Sequence, residues 1–281
     1  MDRKFLKYIQ KSDLERVQEL IELGVDINME TRSHGHHMTP LFAALYQLHT
    51  NLVRRPKHQS LEIFRLLVDK GADISKRSKR DDGHTPLFTA ISSGCVSAVL
   101  YLLQNGADVS IRASGGVTVC THAARTHQAT ILMLLLQYGG DPLHFDDLGQ
   151  TPLHQAAFCS LPSGDTIQSV GTGDVDILSI LMDNGADVMA QTNDGRTALD
   201  ISKRSKQIYE EKGIEWASQC PFVNDNVAAC VDFLEPLVEA AKYRLKFEAF
   251  AMSQHEEVGG RAAARVLDCD TLRMIQDIYN M

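Results

Sequence analysis

Residues 147–157 read Asp-Leu-Gly-Gln-Thr-Pro-Leu-His-Gln-Ala-Ala, and four altered copies of this phrase stand elsewhere in the 281-residue chain. A second phrase, in which an apolar run precedes Gly, one further residue and Asp, occurs five times. Two ordered phrases that recur together predict a solenoid of stacked structural units. The threonines of the first phrase are residues 39, 85, 118, 151 and 197, which are spaced by 46, 33, 33 and 46 residues. The second phrase occupies residues 20–27, 67–74, 102–109, 135–142 and 181–188.

The residue types of the two phrases predict a pair of helices in each unit. The Thr hydroxyl caps the first helix, and Pro is favoured at the first helical position because its missing N–H needs no partner there. The apolar run forms the second helix, and the Gly behind it lies where helices end in the left-handed conformation. The following Asp begins the turn towards the next unit. One such unit cannot bury its own apolar face, so neighbouring units must stack.

Both phrases resemble the ankyrin repeat family, which has a 33-residue period and a Thr-Pro-Leu-His-x-Ala signature. The resemblance covers roughly residues 4–200. It implies an all-α fold, an ankyrin-repeat solenoid of helix-turn-helix units joined by β-turn fingers, with a C-terminal helical cap. We expect about six repeats within residues 1–240, the first and last of them atypical, and a C-terminal helical extension over residues 241–281.

Composition and charge argue against several classes of function. A formal net charge of −8 is not that of a general nucleic-acid binder, and no run approaches the ~18 apolar residues of a membrane-spanning helix. Charged residues stand at the start of the chain, where a secretory signal needs apolar ones. The six cysteines are scattered singly, without the spacing of zinc ligands. We therefore expect a cytoplasmic or nuclear monomer with reduced thiols, no cofactor, no membrane association and no direct nucleic-acid binding.

Two insertions lengthen the second and fifth repeats. Residues 48–60 and 160–174 account for the two 46-residue spacings. Both insertions leave the solenoid at the same edge. They are interpreted either as tolerated surface loops or as two walls that flank the repeats between them.

The last third of the chain departs from the repeat pattern. We expect the first helix of the sixth repeat to run long, through Lys212, and Pro236 to open a new helix, because proline is tolerated in the first turn of a helix and not in its interior. Residues 265–279 carry apolar residues at helical spacing. This segment is interpreted as a cap over the end of the solenoid. Alternatively, its resemblance to the opening helix of an F-box implies a segment that docks a ubiquitin ligase.

The sequence contains no motif typical of catalysis, so we predict that the protein is not an enzyme. It has no glycine-rich phosphate loop, no Gly-x-Ser-x-Gly and no His-Glu-x-x-His. His34, His36 and His37 are suitable metal ligands, but they lie in a turn with no cysteine nearby, which favours an exposed turn. His154 belongs to the signature, and the family resemblance implies that its ring bonds within the repeat.

A basic stretch, Ser-Lys-Arg-Ser-Lys, occurs twice, at residues 75–79 and 202–206. The first copy falls in a turn and the second on a predicted helix, so the two are not equivalent positions of the repeat. A solvated charge run is the simplest interpretation. A nuclear-import or kinase-recognition sequence, or a patch for an acidic partner, is the alternative.

The family resemblance implies that the chain binds other proteins on a concave surface, made of the turn tips and the exposed side of each first helix. Tyr46, Arg125 and Phe158 stand out because interface hot spots favour aromatic residues and arginine. The expected function is therefore a non-enzymatic interaction module that binds a protein or peptide on this surface. The alternative is a substrate-recognition adaptor of a ubiquitin ligase that docks through the F-box-like helix. The variable positions of the family fall at the tips on Met38, Asp82, His84, Val117, Asp147, Leu148, Gln150, Asp194 and Arg196, and on the helices on Tyr46, Gln47, Ser92, Arg125, Thr126, Phe158 and Arg204.

Overall fold

A computed structural model of the chain shows the stacked helix pairs that the repeats predict. The structure describes residues 2–33, 36–49, 57–78, 83–158, 174–212 and 221–258. Over these residues it contains twelve α-helices, one hairpin and a turn of 3-10 helix at Ser114–Gly116. The helices are α1 (Asp2–Gln10), α2 (Leu14–Glu22), α3 (Pro40–His49), α4 (Lys57–Asp69), α5 (Pro86–Ser92), α6 (Val96–Gln104), α7 (Val119–Arg125), α8 (Ala129–Gln137), α9 (Pro152–Ala157), α10 (Asp174–Asp183), α11 (Ala198–Lys212) and α12 (Pro221–Val258), and the hairpin strands are β1 (Thr31–Ser33) and β2 (His36–Met38).

The helices form two layers. The first helices of the six repeats, α1, α3, α5, α7, α9 and α11, lie side by side, and each contacts the next. The second helices, α2, α4, α6, α8, α10 and α12, form the other layer in the same order. The core lies between the layers, and its largest fully buried side chains include Phe5, Phe64, Phe88, Leu102 and Ile131. Full burial of each such side chain contributes roughly 1.5–3 kcal/mol to folding.

The capping predicted for the signature threonines is confirmed in repeats two, four and six. The Thr39 hydroxyl accepts a hydrogen bond from the Phe42 amide at 3.4 Å. The Thr118 hydroxyl accepts a hydrogen bond from the Thr121 amide at 3.2 Å. In repeat six, the Thr197 hydroxyl accepts from the Asp200 amide at 3.3 Å, and the Asp200 carboxylate accepts from the Thr197 amide at 2.9 Å, which is a reciprocal capping box. At Thr85 the prediction is wrong, because its hydroxyl makes no capping bond. The proline behind it already removes one of the amides that would need a partner.

The turns behind the second helices have the predicted conformation. In each, the carboxylate of the turn aspartate accepts a hydrogen bond of 2.8 to 2.9 Å from the amide two residues further on. The glycine two residues before this aspartate has a φ between 80° and 89°. A residue with a β-carbon adopts this region only at a cost, so the glycines are required for the turn. They are Gly24, Gly71, Gly106, Gly139 and Gly185.

The fingers of repeats four to six are tied to one another by hydrogen bonds. The Asp147 amide donates to the Gly115 carbonyl at 2.9 Å, and the Asn193 amide donates to the Leu148 carbonyl at 3.0 Å. The Asn193 side chain also donates to the Asp147 carbonyl at 2.9 Å. The approach is so close that a β-carbon on Gly149 would lie 2.5 Å from Asn193 Oδ1. These three fingers therefore form one continuous ribbon beside the first helices.

The finger between repeats one and two is a hairpin rather than a simple turn. Strands β1 and β2 are antiparallel, with Thr31 opposite Met38 and Ser33 opposite His36. The histidine-rich stretch, predicted to be an exposed turn, thus lies partly in a strand. Residues 34 and 35 lie outside the described residues.

The C-terminal region differs from the prediction at Pro236. Instead of opening a new helix, this proline lies inside α12. An internal proline lacks the N–H for the helical hydrogen bond and crowds the preceding turn. Here Cys230, Leu234 and Val238 are buried on both sides of it, and the packing of α12 on α10 and α11 holds the two halves of the helix together. The long first helix predicted for repeat six is confirmed as α11.

Three predictions fall partly or wholly outside the described residues. The two insertions lie largely at residues 50–56 and 159–173, and the C-terminal segment lies at residues 259–281. The division of the chain at residue 240 stays a prediction, and α12 crosses this position without interruption.

Candidate partner-binding surface

One residue of each first helix in repeats two to six lies seven positions after the signature threonine. We call these five residues the concave row. The half-buried members lie on α3 and α5, and the exposed members lie on α7, directly after α9, and on α11. The phenylalanine of repeat five leaves 52% of its surface exposed. The concave row consists of Tyr46, Ser92, Arg125, Phe158 and Arg204.

Two neighbours in the row, Ser92 and Arg125, are joined through the buried ring of His122. Arg125 Nη2 donates to His122 Nδ1 at 2.9 Å. A neutral imidazole has one donor and one acceptor nitrogen, so His122 Nε2 carries the proton and donates to Ser92 Oγ at 2.7 Å. The Ser92 hydroxyl in turn donates to the Phe88 carbonyl at 3.1 Å. Both ring nitrogens are therefore satisfied, and a chain of hydrogen bonds links repeats three and four.

The surroundings of His122 keep its ring uncharged. Burial, the adjacent Arg125 guanidinium and the nearby His84 together lower the pKa of His122 to about 3. The His84 ring stacks on Phe88 with 4.9 Å between ring centroids, and it meets the His122 ring edge-on at 5.1 Å. Three of the predicted binding residues, His84, Ser92 and Arg125, are thus gathered around one buried imidazole.

His122 is the residue of this surface that the sequence analysis missed. It lies four positions after the signature threonine of repeat four. The signal that could have identified it is the residue type, because the equivalent positions of the repeats with a signature threonine have no aromatic or imidazole ring. The equivalent residues are Ala43, Thr89, Gln155 and Ile201.

His154 has the structural role that the family resemblance implies. Its Nδ1 accepts hydrogen bonds from the Thr151 amide at 3.1 Å and the Thr151 hydroxyl at 2.8 Å. Its Nε2 donates to the carbonyls of Ala190 at 3.1 Å and Arg196 at 3.2 Å. Burial lowers the pKa of His154. The ring therefore caps the N-terminus of α9 and joins repeat five to the finger of repeat six by hydrogen bonds.

The predicted residues at the finger tips differ in their surroundings. Asp147 and Leu148 are exposed at the finger of repeat five. Asp194 and Arg196 form an ion pair with each other, and the hydrogen bond from this guanidinium lowers the pKa of Asp194. Asp82 lies outside the described residues.

The prediction for Met38 is wrong. Its side chain is only 9% exposed and belongs to the core, because β2 pairs with β1 and this places the residue in a strand packed on the solenoid. Val117 is half-buried and packs on the same core. Gln47 and Gln150 are half-buried, and the Thr126 hydroxyl donates within its own helix end, to the residue 122 carbonyl at 2.9 Å.

No feature of the described residues resembles a metal or membrane site. Within the described ranges, no three His, Cys, Asp or Glu side chains are placed to hold a metal ion. Among the same residues, none of the helices has both the length and the apolar character to span a bilayer. Burial raises the pKa of the Cys120 thiol to about 12, so this cysteine is a protonated core residue.

The repeats match known families of protein. A family model of ankyrin repeats, in three copies, matches residues 7–113, and a single ankyrin repeat model matches residues 148–193. The chain belongs to the ankyrin repeat family. The predicted ankyrin-repeat solenoid is therefore confirmed, and ankyrin repeats generally mediate protein-protein interaction. The fourth ankyrin repeat lies between the two matched stretches, where the signature has Val119 for Pro and Thr121 for His.

Three relatives show how far the similarity to this ankyrin repeat protein extends. A Danio rerio protein named as a candidate palmitoyltransferase, ZDHHC13, is 28% identical over 222 residues, which is 71% of this chain and 32% of that protein. The human SH3 and multiple ankyrin repeat domains protein 2 is 30% identical over 167 residues, 52% of this chain and 9% of that protein. The Caenorhabditis elegans ankyrin repeat and KH domain-containing protein mask-1 is 28% identical over 132 residues, 46% of this chain and 4% of that protein. The chain thus spans about a third or less of the length of these relatives.

Proposed function

We propose that the chain is a non-enzymatic module that binds a protein or peptide on its concave surface, centred on repeats three to five. The observation that carries this proposal is the pair Arg125 and Phe158. They occupy equivalent places on neighbouring first helices, and both are exposed. The two residues before each of them, by contrast, are alanines buried in the core.

Exposed aromatic residues and arginines contribute most of the binding energy at many protein interfaces. Phe158 exposes half of its ring although its neighbours in the helix are buried, so a partner that covered it would remove apolar surface from water. The linked fingers of repeats four to six provide a rigid side to the same surface. A preorganised surface loses less conformational entropy on binding.

We further propose that the protein acts as a monomer in the cytoplasm or nucleus, without direct binding to nucleic acid. The three cysteines in the described part of the chain, Cys95, Cys120 and Cys230, are free thiols. Free thiols of this kind are typical of a reducing compartment.

The ubiquitin-ligase adaptor remains a prediction from the sequence. It depends on residues 265–279, which lie outside the described residues. A chain that ends at residue 260 tests it. If the segment docks a ligase, the shortened chain stays folded and loses ligase subunits from its co-purifying proteins. If the segment is a cap, the shortened chain has a lower melting temperature.

Affinity purification with mass spectrometry tests the binding surface. The intact chain is compared with Phe158→Ala and with the matched control Phe145→Ala, since Phe145 is 50% exposed but lies outside the concave row. We expect Phe158→Ala to lose partners that the control retains. If both folded variants retain the same partners as the intact chain, the concave surface is not the binding site.

A further inference from the structure

The guanidinium of Arg125 is held in a fixed position by a buried group. One of its nitrogens, Nη2, donates to Nδ1 of His122, and His122 is itself anchored to Ser92. The side chain of Arg125 is otherwise exposed. Its Nε and Nη1 make no hydrogen bond with the described residues, so N–H donors of the guanidinium remain available to a carboxylate.

The charges around the row are unevenly distributed. On the helix side, Arg125 and Arg204 are two exposed cations with an exposed apolar ring, Phe158, between them. Arg204 uses one nitrogen to donate to Gln207 at 2.9 Å. On the finger side, the exposed charge of repeat five is the carboxylate of Asp147. A bound segment therefore meets positive charge on the helices and negative charge on the fingers.

The spacing of the row constrains the partner further. Helices α7, α9 and α11 pack side by side, and packed helices lie about 8–10 Å apart. A polyproline II segment has three residues per turn and advances about 3.1 Å per residue, so side chains three residues apart lie on the same side of it and span one step of the row. An acidic residue placed on Arg125 would have the side chain three residues away above Phe158.

We propose that the concave row binds a segment of a partner protein in the polyproline II conformation, in which an aspartate or glutamate lies about three residues from a large apolar side chain. The carboxylate pairs with Arg125, the apolar side chain covers Phe158, and a second acidic residue on the far side pairs with Arg204. This inference rests on the proposed function, because it assumes that the partner lies on the concave surface. The net charge of the whole chain is −8, so the attraction for an acidic segment is local to the helix side of the row.

Selection of peptides from a random library displayed on phage tests the proposal with the full chain. We expect the intact chain to enrich peptides with an acidic residue near an apolar one. The affinity of a labelled enriched peptide is then measured by fluorescence anisotropy, together with the same peptide carrying Gln for Glu. The variants are Arg125→Gln, Arg125→Lys and the control Arg16→Gln, in which the exposed arginine lies on α2 and pairs with Glu19.

The intact chain should bind the Glu peptide about tenfold more tightly than the Gln peptide, as the loss of a charged partner predicts. Arg125→Gln should abolish this difference, Arg125→Lys should keep part of it, and Arg16→Gln should leave it unchanged. Binding of the Glu peptide should also weaken as salt screens the charges. Enriched peptides that lack acidic residues, or an unchanged preference in Arg125→Gln, would overturn the acidic motif and leave concave binding in place. If no peptide is enriched, the acidic peptide motif fails, whereas the proposed function fails only if Phe158→Ala retains every partner of the intact chain in the affinity purification.

Discussion

The Nε2 atom of His122 lies 2.7 Å from the Oγ atom of Ser92, and this hydrogen bond joins repeats three and four at the concave row. The bond fits only the neutral ring, because Arg125 donates to the other ring nitrogen. A second proton on the ring would place two donors against each other and a positive charge beside the guanidinium. The pKa of His122 is accordingly lowered to about 3.

We expect the stability of the protein to decrease in acid because of this residue. The pKa of His122 in the folded chain is below the unfolded value near 6.5, so between these two values the unfolded chain binds a proton that the folded chain does not. The stabilisation is therefore fully present above pH 6.5 and is lost as the pH falls towards 3. At pH 5 the free energy of unfolding should be lower by about 2 kcal/mol than at pH 8 from this group alone. Urea unfolding followed by circular dichroism at both pH values measures it.

The control for this pH dependence is His122→Gln. Glutamine is the residue that the chain carries at the equivalent position of the next repeat, Gln155, and it does not titrate. The lowered pKa of His154 destabilises both proteins equally in acid, so the difference between them isolates His122. Equal losses of stability in the two proteins would show that His122 is not the group responsible.

Gly149→Ala should destabilise the linked fingers more than Gly195→Ala does. Both glycines have a positive φ, 72° and 78° respectively, so both substitutions incur the same left-handed strain. Only at position 149 does the new β-carbon meet a neighbour, since it would lie 2.5 Å from Asn193 Oδ1 and 2.7 Å from the Asn193 amide nitrogen. We expect Gly149→Ala to cost about 1–3 kcal/mol more than the control. If denaturant unfolding gives the two variants similar losses in the free energy of unfolding, the backbone around Asn193 can move aside at little cost.

The repeats could be predicted from the sequence because the residues of each phrase determine the local backbone structure themselves. The turn at Gly139 and Asp141 forms from a left-handed glycine and a side chain that bonds the backbone two residues on, and both effects are readable residue by residue. Register along the first helices follows from the period, so the exposure of Arg125 and Phe158 could also be predicted.

The remaining features depend on contacts that the period does not encode. The bond of His122 to Ser92 joins residues 30 positions apart, and it exists because repeat four has an imidazole where the other repeats have Ala, Thr, Gln or Ile. Met38 is buried because its finger forms a hairpin with Thr31, a pairing that the turn signature does not specify. Pro236 stays inside α12 because the solenoid packs against the helix on both sides of it, which overrides the local preference for a break.

Cys120 should resist alkylation in the folded protein. It takes the place of the signature leucine and is fully buried, and burial raises the pKa of its thiol to about 12. Since the thiolate is the reactive form, iodoacetamide at pH 8 should modify half-buried Cys95 well before Cys120, as measured by peptide mapping with mass spectrometry. In guanidinium chloride the two cysteines should react at similar rates. Equal rates in the native protein would contradict the burial of Cys120.

Two substitutions in repeat five should separate stability from binding. Leu153 is fully buried in α9, whereas Phe158 at the end of the same helix is 52% exposed. Leu153→Ala leaves a cavity in the core and should lower the free energy of unfolding by about 2–5 kcal/mol. Phe158→Ala removes an exposed ring and should change this free energy by no more than about 0.5 kcal/mol, although it should abolish capture of the partner. Thermal unfolding measures both effects. A large loss of stability in Phe158→Ala would mean that the ring packs within the solenoid. Any loss of a partner would then be attributed to unfolding and not to the concave surface.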